Sequence, residues 1–253
     1  MHSAAIAAII LWPAFALAQA PDVAPLLPAP TTSTQAIRAA VLSGDVGRAA
    51  ALAEALDPPQ RTLWRGILAI MRNDPTTAIR TLRRGDHPKA LGVAYYLARQ
   101  YLLFRDQMAE AIRREPADFG PYYYLGRHYD SDLDNNDEAV RCFRLALDRN
   151  PAYTRARAYL GTCLERQGLV QEAEKAFQAS LPIPVAQLGL ARLRMAAGDL
   201  KTALVWTEKA RAADPLDAGA HKLAARIYGA MERPRDAAAA LELAAKEIGR
   251  AHV

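Results

Sequence analysis

From Thr34 onward the chain alternates short amphipathic segments with clusters of turn residues. The breaks fall at Gly44-Asp45, Asp57-Pro58-Pro59, Asn73-Asp74-Pro75, Gly85-Asp86, Glu115-Pro116, Asn150-Pro151, Gly168, Pro182 to Pro184, Gly198-Asp199, Asp214-Pro215 and Arg233-Pro234. Between them lie segments of roughly 10 to 14 residues, an ordinary helix length. Within each, apolar residues recur at i, i+3, i+4 and i+7, the spacing that lines one face of a helix. Alanine is abundant and loses no side-chain entropy on entering a helix. Runs of alternating Val, Ile, Thr and Tyr, which read as strand, are nearly missing. The pattern predicts an all-α fold.

The segments repeat in pairs. The fullest pair runs from Phe119 to Ala152, with Tyr122, Leu125-Gly126 and Tyr129 on its first helix, Ala139, Phe143 and Ala146 on its second, and Pro151 at its close. The next carries Leu160-Gly161, Leu164, Gly168, Ala173 and Phe177, with Leu160 lying 35 residues after Leu125. A third keeps Leu190, Ala191, Gly198, Ala203, Ala210 and Pro215, and a fourth keeps Tyr228, Ala237, Leu241 and Ala244. Upstream, Leu91-Gly92, Tyr95, Ala111 and Pro116 form a further pair, in which bulky Phe104 stands where a small residue is usual. Gly66, Ala78 and Leu82 form another, and Gly44 with Ala49 a seventh. The order of residues resembles the tetratricopeptide repeat, whose period is about 34 residues. The resemblance implies a right-handed α-solenoid of stacked antiparallel helix hairpins, spanning 34–250. In such a stack small residues let the helices of one hairpin approach, and large ones fill the space before the next. No hairpin buries its apolar face alone.

The first residues follow another rule. Ala4 to Leu17 is apolar and uncharged, too short for the roughly 20 residues of a spanning helix, and ends in two overlapping A-x-A sites, Ala16-Leu17-Ala18 and Ala18-Gln19-Ala20. We expect a signal peptide at 1–18, although Met1-His2-Ser3 supplies no Lys or Arg. Cleavage after Ala18 avoids placing Pro21 beside the scissile bond. Residues 19–33, with Pro25, Pro28 and Pro30, read as an extended spacer. The mature chain is expected to be periplasmic or secreted and to lack an integral membrane segment.

The net charge of +5 is mild for 253 residues. Basic residues dominate Arg61 to Arg114 and acidic ones Glu115 to Glu138, a division that reads as solvated helix exterior. Arginines and aromatics do not interleave as on a base-stacking platform, so nucleic acid is not an expected partner. Cys142 and Cys163 fall on neighbouring helices, where either a disulfide or two buried thiols is compatible with the sequence. The five histidines are scattered, and no nucleophile elbow, phosphate loop or dinucleotide fingerprint occurs. The run His128-x-Asp130-x-Asp132-x-Asp134 offers oxygen ligands, but a calcium loop starting at Asp130 needs Gly and Glu where Asn135 and Arg141 stand. We expect no metal site, no cofactor and no catalytic residues.

The resemblance further implies that first helices line a concave surface where ligands bind. The positions it carries over are Lys89, Tyr96, Tyr123, Arg127, Arg155, Tyr159, Arg192, Lys222 and Arg226, a mostly basic set with tyrosines. Such a groove suits an acidic segment or a chain-end carboxylate. It does not match the clamp of chaperone-binding relatives, which wants Asn where Arg127 and Tyr159 stand. The expected function is a non-catalytic scaffold that binds other proteins in the cell envelope; the alternative is a structural or regulatory subunit of a fixed oligomer. Intact-mass measurement of chain recovered from the envelope should place the mature terminus at Gln19, and a chain that keeps Met1 would remove the processing expectation.

Overall fold

A computed structural model describes residues 22–251; the expected signal peptide at 1–18 lies outside them. The described residues hold a 3-10 turn, Ala24–Leu26, and fourteen α-helices: α1 (Gln35–Leu42), α2 (Val46–Ala53), α3 (Pro58–Met71), α4 (Pro75–Leu82), α5 (Pro88–Leu97), α6 (Tyr101–Arg114), α7 (Gly120–Ser131), α8 (Asn136–Arg149), α9 (Thr154–Arg166), α10 (Val170–Gln178), α11 (Pro184–Ala196), α12 (Leu200–Ala213), α13 (Ala218–Ala230) and α14 (Pro234–Ala251). No strand occurs among them. They divide into two compact units, Met1–Leu125 and Gly126–Val253.

The helices start where the sequence supplies caps. Carboxylates of Asp45, Asp57, Asp74 and Asp199 and the side-chain oxygen of Asn135 each accept a backbone N–H three residues on, at 2.9 to 3.3 Å. These bonds satisfy amides that have no partner inside the helix. Pro58, Pro75, Pro88 and Pro184 begin their helices, where a missing N–H costs nothing.

Each first helix turns into its second through one residue in the left-handed region: Gly44, Asn73, Arg99, Asp134, Gly168, Gly198 and Glu232. This conformation is favourable for glycine and costs roughly 1–2 kcal/mol for other residues. Gly44, Asn73, Gly168 and Gly198 coincide with breaks read from the sequence, and Asp134 lies in the acidic stretch. Arg99 and Glu232 carry none, and the turn before α6 is imposed by packing. The acidic stretch Asp130 to Asp137 is part helix and part turn, because α7 continues through Ser131 and places Asp130 on a helix.

Close helix approach sets the core of each unit. In the first, a Cβ added to Gly66 would lie 2.3 Å from Leu82 Cδ2, and one added to Gly92 would lie 2.3 Å from Met108 Cε. Trp64, Ile67, Ile70, Phe104 and Met108 are fully enclosed and Tyr95 is buried. Leu91 and Tyr122 are half-buried. Phe104 is accommodated beside the Tyr96 ring, 5.2 Å between centroids. In the second unit Gly126 faces Phe143 and Gly161 faces Phe177, each with 2.7 Å between an added Cβ and the ring. Gly189 of the following hairpin faces the same Phe177 ring at 2.3 Å. Ala139, Ala173 and Ala203 are fully buried. Leu160 packs against the Phe177 cluster, and Tyr129 is half-buried.

One expectation is corrected. Residues 22–27 are not a free spacer: Val23, Pro25, Leu26 and Leu27 are buried. Three aliphatic side chains in six residues gain more from burial on the first unit than proline stiffness gains from extension.

Because Phe177 is closed in by two glycines, Gly189→Val should destabilise the second unit by about 1–3 kcal/mol through overpacking. Combining it with Phe177→Leu should recover part of that loss, giving a coupling energy above about 0.5 kcal/mol in a double-mutant cycle. Urea denaturation measures both, and strictly additive effects would contradict the shared contact.

Candidate protein-binding face

In the second unit the first helices of successive hairpins, α9, α11 and α13, pack side by side. Tyr159 on α9 is half-buried, its ring stacked on Phe143 at 5.9 Å with 15° between planes. The Arg127 guanidinium of α7 sits 4.0 Å from the Tyr159 centroid. A cation over an aromatic face at this distance is held by the ring quadrupole and keeps its plane fixed.

Arg192 on α11 meets Glu165 on α9 in a forked pair, with Nε 2.9 and 3.1 Å from the two carboxylate oxygens and Nη2 2.5 Å from Oε2. Beside it Arg166 pairs with Asp130 and reaches Asp134 at 3.7 Å. Partial burial, and then the Arg192 charge, lower the Arg166 pKa; an arginine remains charged through such a shift. On α13, Lys222 and Arg226 are exposed and one helical turn apart, whereas Ala220, His221, Leu223, Ala224, Ala225 and Ile227 are buried. Arg155, near the start of α9, is exposed as well.

The positions expected from the first unit differ. Lys89 is closed in by an ion pair to Asp118 at 2.5 Å, with only 21% of its side chain exposed. Tyr96 is half-buried against Tyr101 and Phe104. Tyr123 is fully buried, its ring edge-on to Tyr124 at 5.4 Å. Tyr123 is therefore a packing residue and does not face a ligand: in the run Tyr122-Tyr123-Tyr124 neighbours lie about 100° apart on the helix, and periodicity does not say which one points outward.

The face of the second unit also contains carboxylates absent from the expected set. Glu165 and Asp130 each neutralise a guanidinium, so the surface is mixed rather than uniformly basic. The signal was present: Glu165 lies 27 residues before Arg192 and on the same helix as Tyr159, but pairing across hairpins depends on their stacking.

The acidic run is engaged within the protein. Asp130 holds Arg166, and Asp132 Oδ2 lies 3.2 Å from Nδ1 of the buried His128. Among the described residues no three His, Cys, Asp or Glu side chains are grouped to hold a metal ion. Cys142 and Cys163 are both buried and free.

The geometry defines a class first: an α-solenoid of stacked hairpins, a fold that generally serves protein–protein interaction. Residues 128–186 match the family model described as tetratricopeptide repeat. Among solved structures, the fold is similar to a tetratricopeptide repeat protein from Parabacteroides merdae, with TM-score 0.53 and 17% identity over 85% of this chain and 78% of that one. It is also similar to PilW, a type IV pilus biogenesis factor, with TM-score 0.52 and 21% identity over 82% and 88%. A third likeness is to BtubC from P. vanneervenii, with TM-score 0.52 and 18% identity over 88% and 93%. No curated protein matches the sequence. Residues 128–186 thus carry the tetratricopeptide repeat, within an all-helical fold of the kind those structures share. Among the described residues no helix is long and apolar enough to cross a membrane.

Burial pushes the Cys142 thiol up to about 11, with the Glu138 charge adding to it, and the Cys163 thiol up to about 12. Protonated thiols are poor nucleophiles, so iodoacetamide at about pH 8 should label neither in the folded chain and both in denaturant. A thiol whose pKa is raised on folding contributes stability that is present below its unfolded value and lost as pH rises through the folded one. That part of the stability should fade between about pH 9 and pH 11, following the Cys142 shift, and less so in Cys142→Ala/Cys163→Ala. Rapid labelling of the folded chain would contradict the burial.

Proposed function

We propose that this protein is a non-catalytic scaffold of the cell envelope that binds an extended, acidic segment of a partner protein on the first-helix face of its second unit. The observation that carries the reading is the exposure of Lys222 and Arg226 on α13, in the same row of first helices as Arg155 on α9. Arg127 over Tyr159 and the forked Arg192 with Glu165 give that row guanidiniums of fixed orientation. A carboxylate-rich strand would meet exposed cations there and exchange hydrogen bonds with held arginines, the chemistry for which arginine is suited. The envelope location is supported by the apolar leader with its A-x-A sites.

A second reading, a structural subunit of a fixed oligomer, is favoured by the exposed Leu241 and Leu243 on α14, at 53% and 40% exposure. Apolar side chains open on a hairpin face are what a neighbouring subunit would cover.

Fluorescence anisotropy with a short glutamate-rich peptide tests the first reading. Lys222→Glu/Arg226→Glu should weaken binding by at least about tenfold, or 1.4 kcal/mol, and should flatten its salt dependence. Equal binding by both chains would exclude α13 from the site. If neither chain binds and light scattering shows one defined oligomer, dissociated by Leu241→Lys, the second reading takes its place.

A further inference from the structure

The first unit carries its own peptide. Residues 22–28 lie against the helices without forming part of any hairpin, while Ala29 and Pro30 are exposed, and three contacts fix their course. The Tyr124 hydroxyl of α7 donates to the Asp22 carbonyl at 2.6 Å. At the start of α7, Gly120 leaves room for the Pro25 carbonyl, whose oxygen lies 3.0 Å from the point where a Cβ would stand. The aliphatic stem of Lys89, from α5, flanks the same point at 3.1 Å. Finally, Arg38 of α1 donates to the Pro28 carbonyl. The segment therefore passes from α7 back to α1, across first helices and against their order in the chain.

Two features separate this segment from an ordinary part of the core. Its polar contacts use main-chain carbonyls on either side of the Ala24–Leu26 turn, received by side chains of the helices, so they hold the backbone independently of much of its sequence. Its apolar anchors are few and adjacent: Leu26 is 2% exposed, Leu27 8% and Val23 9%. The tie to α1 is short and capped locally, with Thr31 and Thr34 bonded side chain to side chain at 2.8 Å. A tether of this length keeps the segment at an effective concentration on the order of millimolar.

We propose that Asp22–Pro30 is an intramolecular ligand, and that the face of α1, α5 and α7 beneath it is a second protein-binding site, for a partner segment carrying adjacent leucines and proline around a single turn. The partner gains the surface by displacing the strap, so the strap sets the threshold for binding. The site uses residues of the first unit only and is independent of the basic face proposed for the second.

The test uses the otherwise intact chain and a fluorescein-labelled peptide with the sequence of residues 22–30. Leu26→Asp/Leu27→Asp releases the strap and should bind the peptide at least about tenfold more tightly than the natural chain does. Gly120→Val on that background fills the place of the Pro25 carbonyl and should abolish the gain. Circular dichroism checks that each variant keeps its helices, and Leu27→Ala, a milder release, should give an intermediate gain. In the natural chain, excess peptide should speed amide hydrogen exchange of residues 22–30 as they are displaced. A folded, released variant that does not bind the peptide would overturn the proposal. So would a natural chain that binds equally well with no change in exchange, or a natural chain that forms a strap-exchanged dimer.

Discussion

The fold depends on the contact between an aromatic ring on one helix and a bare backbone on another. In the second unit the Phe177 ring lies where a Cβ of Gly161 and a Cβ of Gly189 would both stand. Gly161 belongs to the same hairpin as Phe177, and Gly189 to the next one. A single side chain thus fixes both the distance within a hairpin and the distance between two. Interiors pack at crystal-like density and adjust little to extra volume, so this one ring transmits the geometry along the unit. Phe143 against Gly126 repeats the device one hairpin earlier. In the first unit Leu82 against Gly66 and Met108 against Gly92 do the same with aliphatic side chains, which bend more readily than a ring.

The turns obey this packing rather than direct it. All seven hairpins bend through a left-handed residue, yet only three of these are glycine. At Arg99 and Glu232 the chain accepts a conformation that an L-residue disfavours, because the apolar faces on either side can meet only if the backbone reverses there. Local cost is carried by non-local gain, the usual balance in repeat proteins whose helices do not bury themselves alone.

The same stacking shapes the two faces proposed to bind partners. Arg192 finds Glu165 because neighbouring hairpins place α9 beside α11, and Arg166 finds Asp130 from its neighbour on the other side. These pairs lower the net charge of the face while fixing the direction of its guanidiniums. In the proposed site, exposed Lys222 and Arg226 would supply attraction at long range, and the held arginines geometry. In the first unit residues 22–28 cross part of the first-helix face. The two units thus present unlike surfaces, the second with exposed cations and the first crossed by a segment of its own chain.

The amino-acid sequence by itself determined the helices and their pairing. Periodicity at i, i+3, i+4 and i+7, the Asp and Asn caps, the helix-starting prolines and the Leu-Gly…Ala…Phe order are local signals that hold wherever the chain goes. They suffice to place Gly126 with Phe143, and Gly161 with Phe177, on the two helices of one hairpin. Tertiary structure alone decided which face of each helix is open. Tyr123 is enclosed, Lys89 is closed by Asp118, Glu165 stands against Arg192, and the proline-containing segment lies on the helices instead of extending away from them. Each of these outcomes depends on groups at least 27 residues apart in sequence, or on which of three adjacent tyrosines turns inward. Neither is encoded in a periodic pattern, because periodicity fixes the phase of a helix relative to itself, whereas partners and exposure are fixed only when neighbouring helices and residues 22–28 take their places.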